Sequence, residues 1–375
     1  ALEWKSQILP LKPDNMVVLK SPISAKKAAQ QLMNGSCILW EGDYHAGRAF
    51  LALISKKILK DPARPGNDLK EIFKQDRKKQ AMRGQVLSRF VVRVQRGHSL
   101  AHLKRAPEIH DGLQAAYGNS GDGYLIPMRE ILGAIGSWEW TKKGVYIPIL
   151  DDKIFPHFGV FCPTVRNEYV ELLSAVPISE NAKVAYDVGV GTGVLSAILI
   201  KRGVGYVVGT DISERALACA DQNLTRLGFR DKSKLIKANV YPEINNFKNQ
   251  NKPDIIVCNP PWLPFEPSPS LLDAAIYDNN SNVLKEYLNG IKTNIGDESH
   301  CEGFLIISDL AERLGLRSRS DLLDMIRDAG LEVIERIDGV PNDNKRREDK
   351  ADKLHEARSK EVTSLWRLRV STEAQ

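Results

Sequence analysis

From about Ser179 onward the chain repeats one pattern, an apolar strand-length run followed by a helix-length run, and that alternation leaves few folds open. KVAYDVGV reads as a strand, GVLSAILIKRG as a helix, YVVGTDIS as a strand, ERALACADQNLTRLG as a helix and KLIKANV as a strand. PDIIVCNPPW is a strand ending in a turn, followed by a helix at NVLKEYLNGIKTNI, a strand at GFLIISDL and a helix at SRSDLLDMIRDAG. LEVIERIDGV and EVTSLWRLRV close the series as two strands, separated by a charged stretch (341–361) that is expected to be a solvated loop with a little helix. Strands apolar throughout are buried on both faces, and crossover helices join parallel neighbours. The expected architecture is therefore α/β, a mainly parallel sheet covered by helices on both sides.

At 375 residues the chain is too long for one ordinary domain and comfortable for two. The expected division is residues 1–150, a basic substrate-recognition domain, and residues 151–375, a catalytic domain. NMVVLKS and SCILWEG read as strands in the first half, and SPISAKKAAQQLM, capped by Ser24, and DYHAGRAFLALISKKILK as helices. DPARPGND is a breaker-rich loop, and the segment after it is expected to be helical to about Gln95, with Gly84 a weak point. After a turn at GNSGDG, IPMREILGAIGS reads as a short helix, and VYIPILDD closes the first domain.

Charge is placed unevenly. Residues 1–150 hold 24 Lys and Arg against 13 Asp and Glu, whereas residues 151–375 hold 29 against 34. Residues 56–105 alone carry 15 basic and 4 acidic side chains. A compact positive stretch suits structured RNA, because neutralising phosphates releases condensed counterions; a solvated helix face is the plainer alternative. The five cysteines are widely spaced with no C-x-x-C pair, which argues against a disulfide framework or zinc site and for a reducing compartment. No apolar run reaches the roughly 18 residues of a membrane span, and ALEWKSQ has no signal-peptide pattern. A cytoplasmic protein is expected.

The strand ending at Asp187 runs through Gly189-Val190-Gly191-Thr192-Gly193 straight into a helix. Glycines there allow a sharp turn and a close approach of backbone to ligand. Asp211 ends the next strand, where a carboxylate can accept both hydroxyls of a ribose. This spacing fits a dinucleotide or a nucleoside-type cofactor. Val194, where a dinucleotide site wants Gly or Ala, and the acid at 187, unsuited to a pyrophosphate, favour a nucleoside with a cationic tail.

Asn259-Pro260-Pro261-Trp262 follows the fourth strand of the series, at the strand end where ligands of open α/β sheets bind. Two prolines make the corner rigid and remove backbone donors. The Asn259 side-chain oxygen and the Pro260 carbonyl are expected to converge as two acceptors for an exocyclic amine or primary amide, which offers two N–H donors. Holding both favours a pyramidal, nucleophilic nitrogen as the new bond forms. Trp262 offers a face for stacking a planar group.

With these motifs in this order, residues 154–375 resemble class I S-adenosylmethionine-dependent methyltransferases. The resemblance is to the small-domain group with an N-P-P-aromatic motif, which includes release-factor glutamine methyltransferases and N6-adenine and N2-guanine RNA methyltransferases. It implies a Rossmann-like, seven-stranded, mostly parallel sheet with an antiparallel C-terminal strand. It also implies S-adenosyl-L-methionine as cofactor, with Asp187, Gly189 and Gly191 at its methionine end, Asp211 at the ribose and Asn239 near the adenine. Thr192, Gly193, Ile212 and Val240 complete the expected cofactor set, and Asn259, Pro260, Pro261 and Trp262 form the expected catalytic set. Asn239 stands where the family more often has an acid, but its amide oxygen can still accept from the adenine amine. Gly159 to Glu168 resembles the family's lead-in around a Pro (Pro163) and a Glu, except that Thr164 stands where the glutamine methyltransferases have Arg. Phe158 or Phe161 covers the cofactor or packs in the core. The implied function is N-methylation of a planar group, a base in structured RNA, with a protein glutamine or small molecule as the alternative. No metal is called for: only His98 and His102 stand at a ligand-like i, i+4 spacing, and on a basic segment they are expected to be solvated.

Overall fold

The computed structural model describes residues 2–10, 12–58, 68–164, 167–243, 252–339 and 353–372. The expected loop at 61–67, most of the charged stretch after 340 and residues 165–166 of the lead-in lie outside them. The chain divides into two compact units, residues 1–142 with 268–270, and residues 143–267 with 271–375.

The first unit contains strands β1 (Glu3–Trp4), β2 (Met16–Leu19), β3 (Cys37–Trp40), β4 (Phe90–Gln95) and β5 (Gly123–Pro127). Its helices are α1 (Ala25–Met33), α2 (Tyr44–Ile58), α3 (Leu69–Leu87), α4 (His110–Tyr117) and α5 (Met128–Lys143). The sheet order is β1-β5-β4-β3-β2, parallel except between β4 and β5. Trp40, Phe50 and Phe90 meet with ring centroids about 6 Å apart, an aromatic core that fixes α2 against the sheet. Helical structure does not continue to Gln95. α3 stops at Leu87, and Phe90–Gln95 is a strand hydrogen-bonded between β3 and β5. Its aromatic and β-branched Phe90, Val91, Val92 and Val94 are all buried, so burial in the sheet outweighs the charge pattern around them. Ser24 occupies the start of α1, but its side chain makes no capping bond. His98 is also not solvated: it is buried, its Nδ1 2.8 Å from the Tyr124 hydroxyl, and His102 is half-buried.

The second unit opens with a hairpin of β6 (Val145–Ile147) and β7 (Asp152–Ile154), then helix α6 (Glu168–Ala175). Strands β8 (Val184–Val188), β9 (Tyr206–Asp211), β10 (Ser233–Lys237) and β11 (Ile255–Cys258) follow, interleaved with α7 (Val194–Lys201) and α8 (Glu214–Arg226). Then come α9 (Asn282–Asn294), β12 (Glu302–Ser308), α10 (Leu310–Arg313), α11 (Arg319–Asp328), β13 (Leu331–Asp338), α12 (Lys353–Ser359) and β14 (Thr363–Val370). The seven-stranded sheet has the order β10-β9-β8-β11-β12-β14-β13. It is a Rossmann-like, mostly parallel sheet in which β14 runs antiparallel to both neighbours.

Two apolar layers cover its faces. One includes Val194, Leu195 and Ala197–Ile200 of α7 together with Ile147, Leu150 and Ile154 of the hairpin region, which therefore packs in this unit's core. The other gathers Leu284, Tyr287, Leu288 and Ile291 of α9. α8 shows why a mixed sequence still forms a helix here: Ala216, Cys219, Ala220, Asn223 and Leu224 recur on one buried face, and the Ser213 hydroxyl accepts from the Ala216 N–H at the start. Among the described residues, no helix is long and apolar enough to cross a membrane.

Candidate active site

Strand order creates the site. The chain proceeds outward from β8 through β9 to β10, then returns to β11 on the other side of β8, and ligands of open α/β sheets bind at such a reversal. Cys258 pairs with Val188, so the glycine loop after β8 and the Asn259 corner after β11 leave the sheet side by side at the same level.

Asp187 is buried at the end of β8. Its Oδ2 accepts from the Ser196 N–H at 2.9 Å and the Ser196 hydroxyl at 2.6 Å, while its Oδ1 is buried with no partner. Burial pushes its pKa up to about 6 against the opposing pull of the Ser196 bonds, and the nearby Asp211 charge adds to the rise. Gly189, Gly191 and Gly193 have φ of 75°, 52° and 80°. A Cβ at Gly189 would meet open space, so the loop's backbone is bare toward the crevice, whereas one at Gly193 would lie 3.1 Å from the Ala220 backbone. Gly193 thus has two separate reasons to be glycine, a left-handed conformation and close packing of α7 on α8. Gly193→Ala is expected to cost about 1–3 kcal/mol of stability, read as a lower denaturation midpoint with an unchanged slope. An unchanged midpoint would refute this reading of the loop. Thr192 is buried, and its carbonyl accepts from Asn223 at 3.1 Å, tying the loop to α8.

Asp211 ends β9, its Oδ2 accepting from the Gly191 N–H at 3.1 Å and its Oδ1 from the Ser213 N–H at 2.9 Å. The acid and the glycine loop are hydrogen-bonded to one another, and burial raises the Asp211 pKa. Ile212 beside it is 68% exposed, an apolar shelf at the mouth of the crevice. Asn239 lies beyond β10, exposed, with its Nδ2 donating to Glu286 Oε2 at 2.8 Å. Because a carboxylate only accepts, this bond fixes the amide's orientation and leaves the Asn239 oxygen as the acceptor on offer. Val240 is buried and held at φ 66°, a left-handed conformation rare for a β-branched residue, with its carbonyl bonded by the Thr210 hydroxyl at 2.6 Å. That strain at the crevice has no sequence signal.

The Asn259 corner differs from expectation in one respect. Its side-chain oxygen is not a free acceptor: it receives the Trp262 indole N–H at 2.9 Å. An indole nitrogen can only donate, so this bond fixes which amide atom is oxygen and leaves it one further lone pair. Trp262 is partly buried against the core layer on the α9 side. Phe161 packs against the α7-side core and sits 5.9 Å from the Tyr169 ring, while its carbonyl lies 4.0 Å from where a Gly191 Cβ would be. Phe158 lies under the Arg215 guanidinium at 5.7 Å.

Residues 152–285 match the family model for the methyltransferase small domain. Over these residues the chain is similar to the methyltransferase small-domain family. The chain is 26% identical to the tRNA1(Val) (adenine(37)-N6)-methyltransferase of Shewanella sp. (strain MR-4) over 39% of this chain and 62% of that protein. It is 29% identical to the release factor glutamine methyltransferase of Bradyrhizobium diazoefficiens over 50% of this chain and 56% of that protein. It therefore spans less than two thirds of the length of these relatives. A solved ribosomal protein L11 methylase from Lactobacillus delbrueckii subsp. bulgaricus superposes with a TM-score of 0.37 at 13% identity, covering 59% of this chain and 86% of that one.

The cofactor of this methyltransferase family is S-adenosyl-L-methionine. The residues present fit it. A buried carboxylate with an unpaired oxygen suits the cofactor's ammonium, and a glycine backbone bare toward the crevice leaves room beside it. Asp211 stands one strand away, where it would accept from ribose hydroxyls, and the Asn239 oxygen, left as acceptor by the bond to Glu286, would accept from an adenine amine.

Proposed function

We propose that this protein is an S-adenosylmethionine-dependent N-methyltransferase acting on an exocyclic amino group of a base in structured RNA. The observation that carries the chemistry is the Asn259 oxygen, held in orientation by Trp262 beside the glycine loop. Bound S-adenosylmethionine supplies an electrophilic methyl group on its sulfonium. Asp187 and Asp211 hold the cofactor's charged and ribose ends. Asn259 and the Pro260 carbonyl accept the N–H bonds of the target nitrogen, and these bonds strengthen as the nitrogen gains positive charge in the transition state. Positioning supplies most of the rate, because the reacting groups are brought together at the C-terminal ends of adjacent central strands.

RNA is favoured by the first unit's charge and by the tRNA-modifying relative from Shewanella. Lys70, Lys74 and Lys78 are exposed at four-residue spacing on one face of α3. The basic excess of residues 56–105 is not all available: Arg83 bonds the Ser55 hydroxyl, Arg89 the Leu32 carbonyl, and Arg105 the Asp43 carboxylate. Replacing Lys70, Lys74 and Lys78 together with Gln is expected to weaken RNA binding about 10-fold or more at 0.1 M salt and to lower the log–log salt slope by about 2–3. Filter binding across a salt series measures both, and an unchanged slope would remove α3 from the interface.

A protein glutamine as substrate is the second reading, favoured by the Bradyrhizobium relative. Incubation with methyl-labelled cofactor and, separately, total RNA, protein extract and metabolites decides between them. Label in RNA is the expected result, label in protein alone establishes the second reading, and label in neither overturns both.

A further inference from the structure

At the opposite, N-terminal end of the sheet's central strands, three potential metal ligands converge: Asp254, His300 and Cys301 each offer one ligand atom, and these lie within 4.8 Å of one another. Asp254 precedes β11 and Cys301 precedes β12, and pairing of β11 with both β8 and β12 puts them level with the start of β8. At about 3.3 Å per strand residue the cluster lies about 16 Å from Asn259, outside the cofactor crevice.

We propose that Asp254, His300 and Cys301 form a divalent transition-metal site of zinc type. Its geometry is already close to what zinc requires. With Zn–N and Zn–O near 2.1 Å and Zn–S near 2.3 Å, the N···O and S···O edges of a tetrahedron are about 3.4 and about 3.6 Å. Here His300 Nε2 stands 3.1 Å and Cys301 Sγ 3.8 Å from Asp254 Oδ1. The carboxylate is also held from behind. Asp254 Oδ2 accepts the Lys183 N–H at 2.7 Å and the Val184 N–H at 2.9 Å, which leaves Oδ1 aimed at His300 and Cys301, the kind of outer support that orients metal ligands. Gly296 makes room for the thiol, since a Cβ there would come within 2.9 Å of Cys301 Sγ.

A borderline-soft donor set of one thiol, one imidazole and one carboxylate suits Zn²⁺ or Co²⁺ over Mg²⁺ or Ca²⁺. Binding forms the metal–sulfur bond as the Cys301 thiol releases its proton to solvent, and the fourth position goes to water. Such an ion would clip the N-terminal ends of β8, β11 and β12 at the far end of the strands from Asn259, so the proposal is independent of the methyl-transfer reading. Sequence spacing hides the site, because Asp254 is 46 residues from His300.

The test is titration of the chelator-treated full chain with Co²⁺ and then Zn²⁺. One equivalent of Co²⁺ should produce a thiolate-to-cobalt charge-transfer band in the near ultraviolet, which Zn²⁺ bleaches, and Zn²⁺ should raise the melting temperature. Cys301→Ser should abolish the band, and His300→Gln should weaken Co²⁺ binding at least 10-fold. If the intact protein gives no band, or if the Cys301→Ser protein gives it undiminished, the site does not exist. Metal content measured on the untreated protein gives a readout that needs no chelator treatment: about one equivalent of zinc is expected in the parent chain and none in Cys301→Ser.

Discussion

Replacing Asn259 with Ala is expected to reduce kcat/KM for methyl transfer by 10²-fold or more while leaving S-adenosylmethionine affinity within about threefold of the parent. The reason lies in where the side chain points. On the proposed reading its oxygen, oriented by the Trp262 N–H at 2.9 Å, would serve the target nitrogen and not the cofactor, whose charged and ribose ends would fall to Asp187 and Asp211. Removing a preorganised polar group that acts mainly in the transition state costs on the order of 10²–10³ in rate. Losing the Trp262 bond adds a stability cost of about 1 kcal/mol, small enough for the fold to survive. Steady-state kinetics beside calorimetric binding of S-adenosylhomocysteine measure the two effects. A loss of cofactor binding equal to the loss of rate would show that Asn259 acts through the cofactor site and would refute its assignment to the substrate.

The second large effect couples binding to stability, with opposite signs. Asp187 is buried and its pKa lies at about 6, above the ordinary carboxylate value, so the folded protein holds this proton more tightly than the unfolded chain. Its contribution to stability is therefore fully present below about pH 3.8 and is lost as pH rises through about 6. At pH 7 and above the ionised group costs about 3 kcal/mol relative to its protonated form. Asp187→Asn keeps an oxygen for the two Ser196 donors and removes the buried charge. This variant is expected to melt several degrees higher than the parent at pH 7–8, with the difference shrinking to nothing near pH 4. Its cofactor affinity should fall at least 10-fold, because the position of the unpaired Oδ1 no longer meets the ammonium with a charge. Thermal melts across this pH range and titration with cofactor test both halves. A variant that is less stable than the parent at pH 8 would show that the Asp187 charge is satisfied within the protein, and the cradle would then need another ligand. A group kept costly in the free protein and relieved by ligand is a trade of stability for function.

Much of the second unit was legible because its signals are local. Strands β8, β9, β11 and β12 are short, mainly apolar runs (β10, SKLIK, is the mixed one), and both the glycine loop and the Asn-Pro-Pro-Trp corner are contiguous. The first unit was less legible. Phe90–Gln95 sits in a basic helical context and becomes a strand only because β3 and β5 offer it two edges. Gly123–Pro127, which reads as part of a turn and a helix, pairs with β4 and is buried along its whole length. His98, solvated on the sequence reading, is enclosed by residues far along the chain, Gln114, Gly118 and Tyr124. Within the candidate site, sequence could place Asn259 at a strand end but could not show that Trp262 already occupies one of its lone pairs, nor that Glu286 orients Asn239 from across 47 residues.

The division between the two kinds of information follows from range. Hydrophobic period, glycine, proline and capping residues act over a few positions, so the chain alone determined most of the second unit's strands, where they end and which chemistry-bearing residues stand at those ends. Register between strands distant in sequence was decided by tertiary packing. That packing set Val188 beside Cys258, and with it the glycine loop beside the Asn259 corner, and at the other end of the same strands it gathered Asp254, His300 and Cys301. Such pairings depend on the burial of whole faces at once, a property no local window of sequence contains.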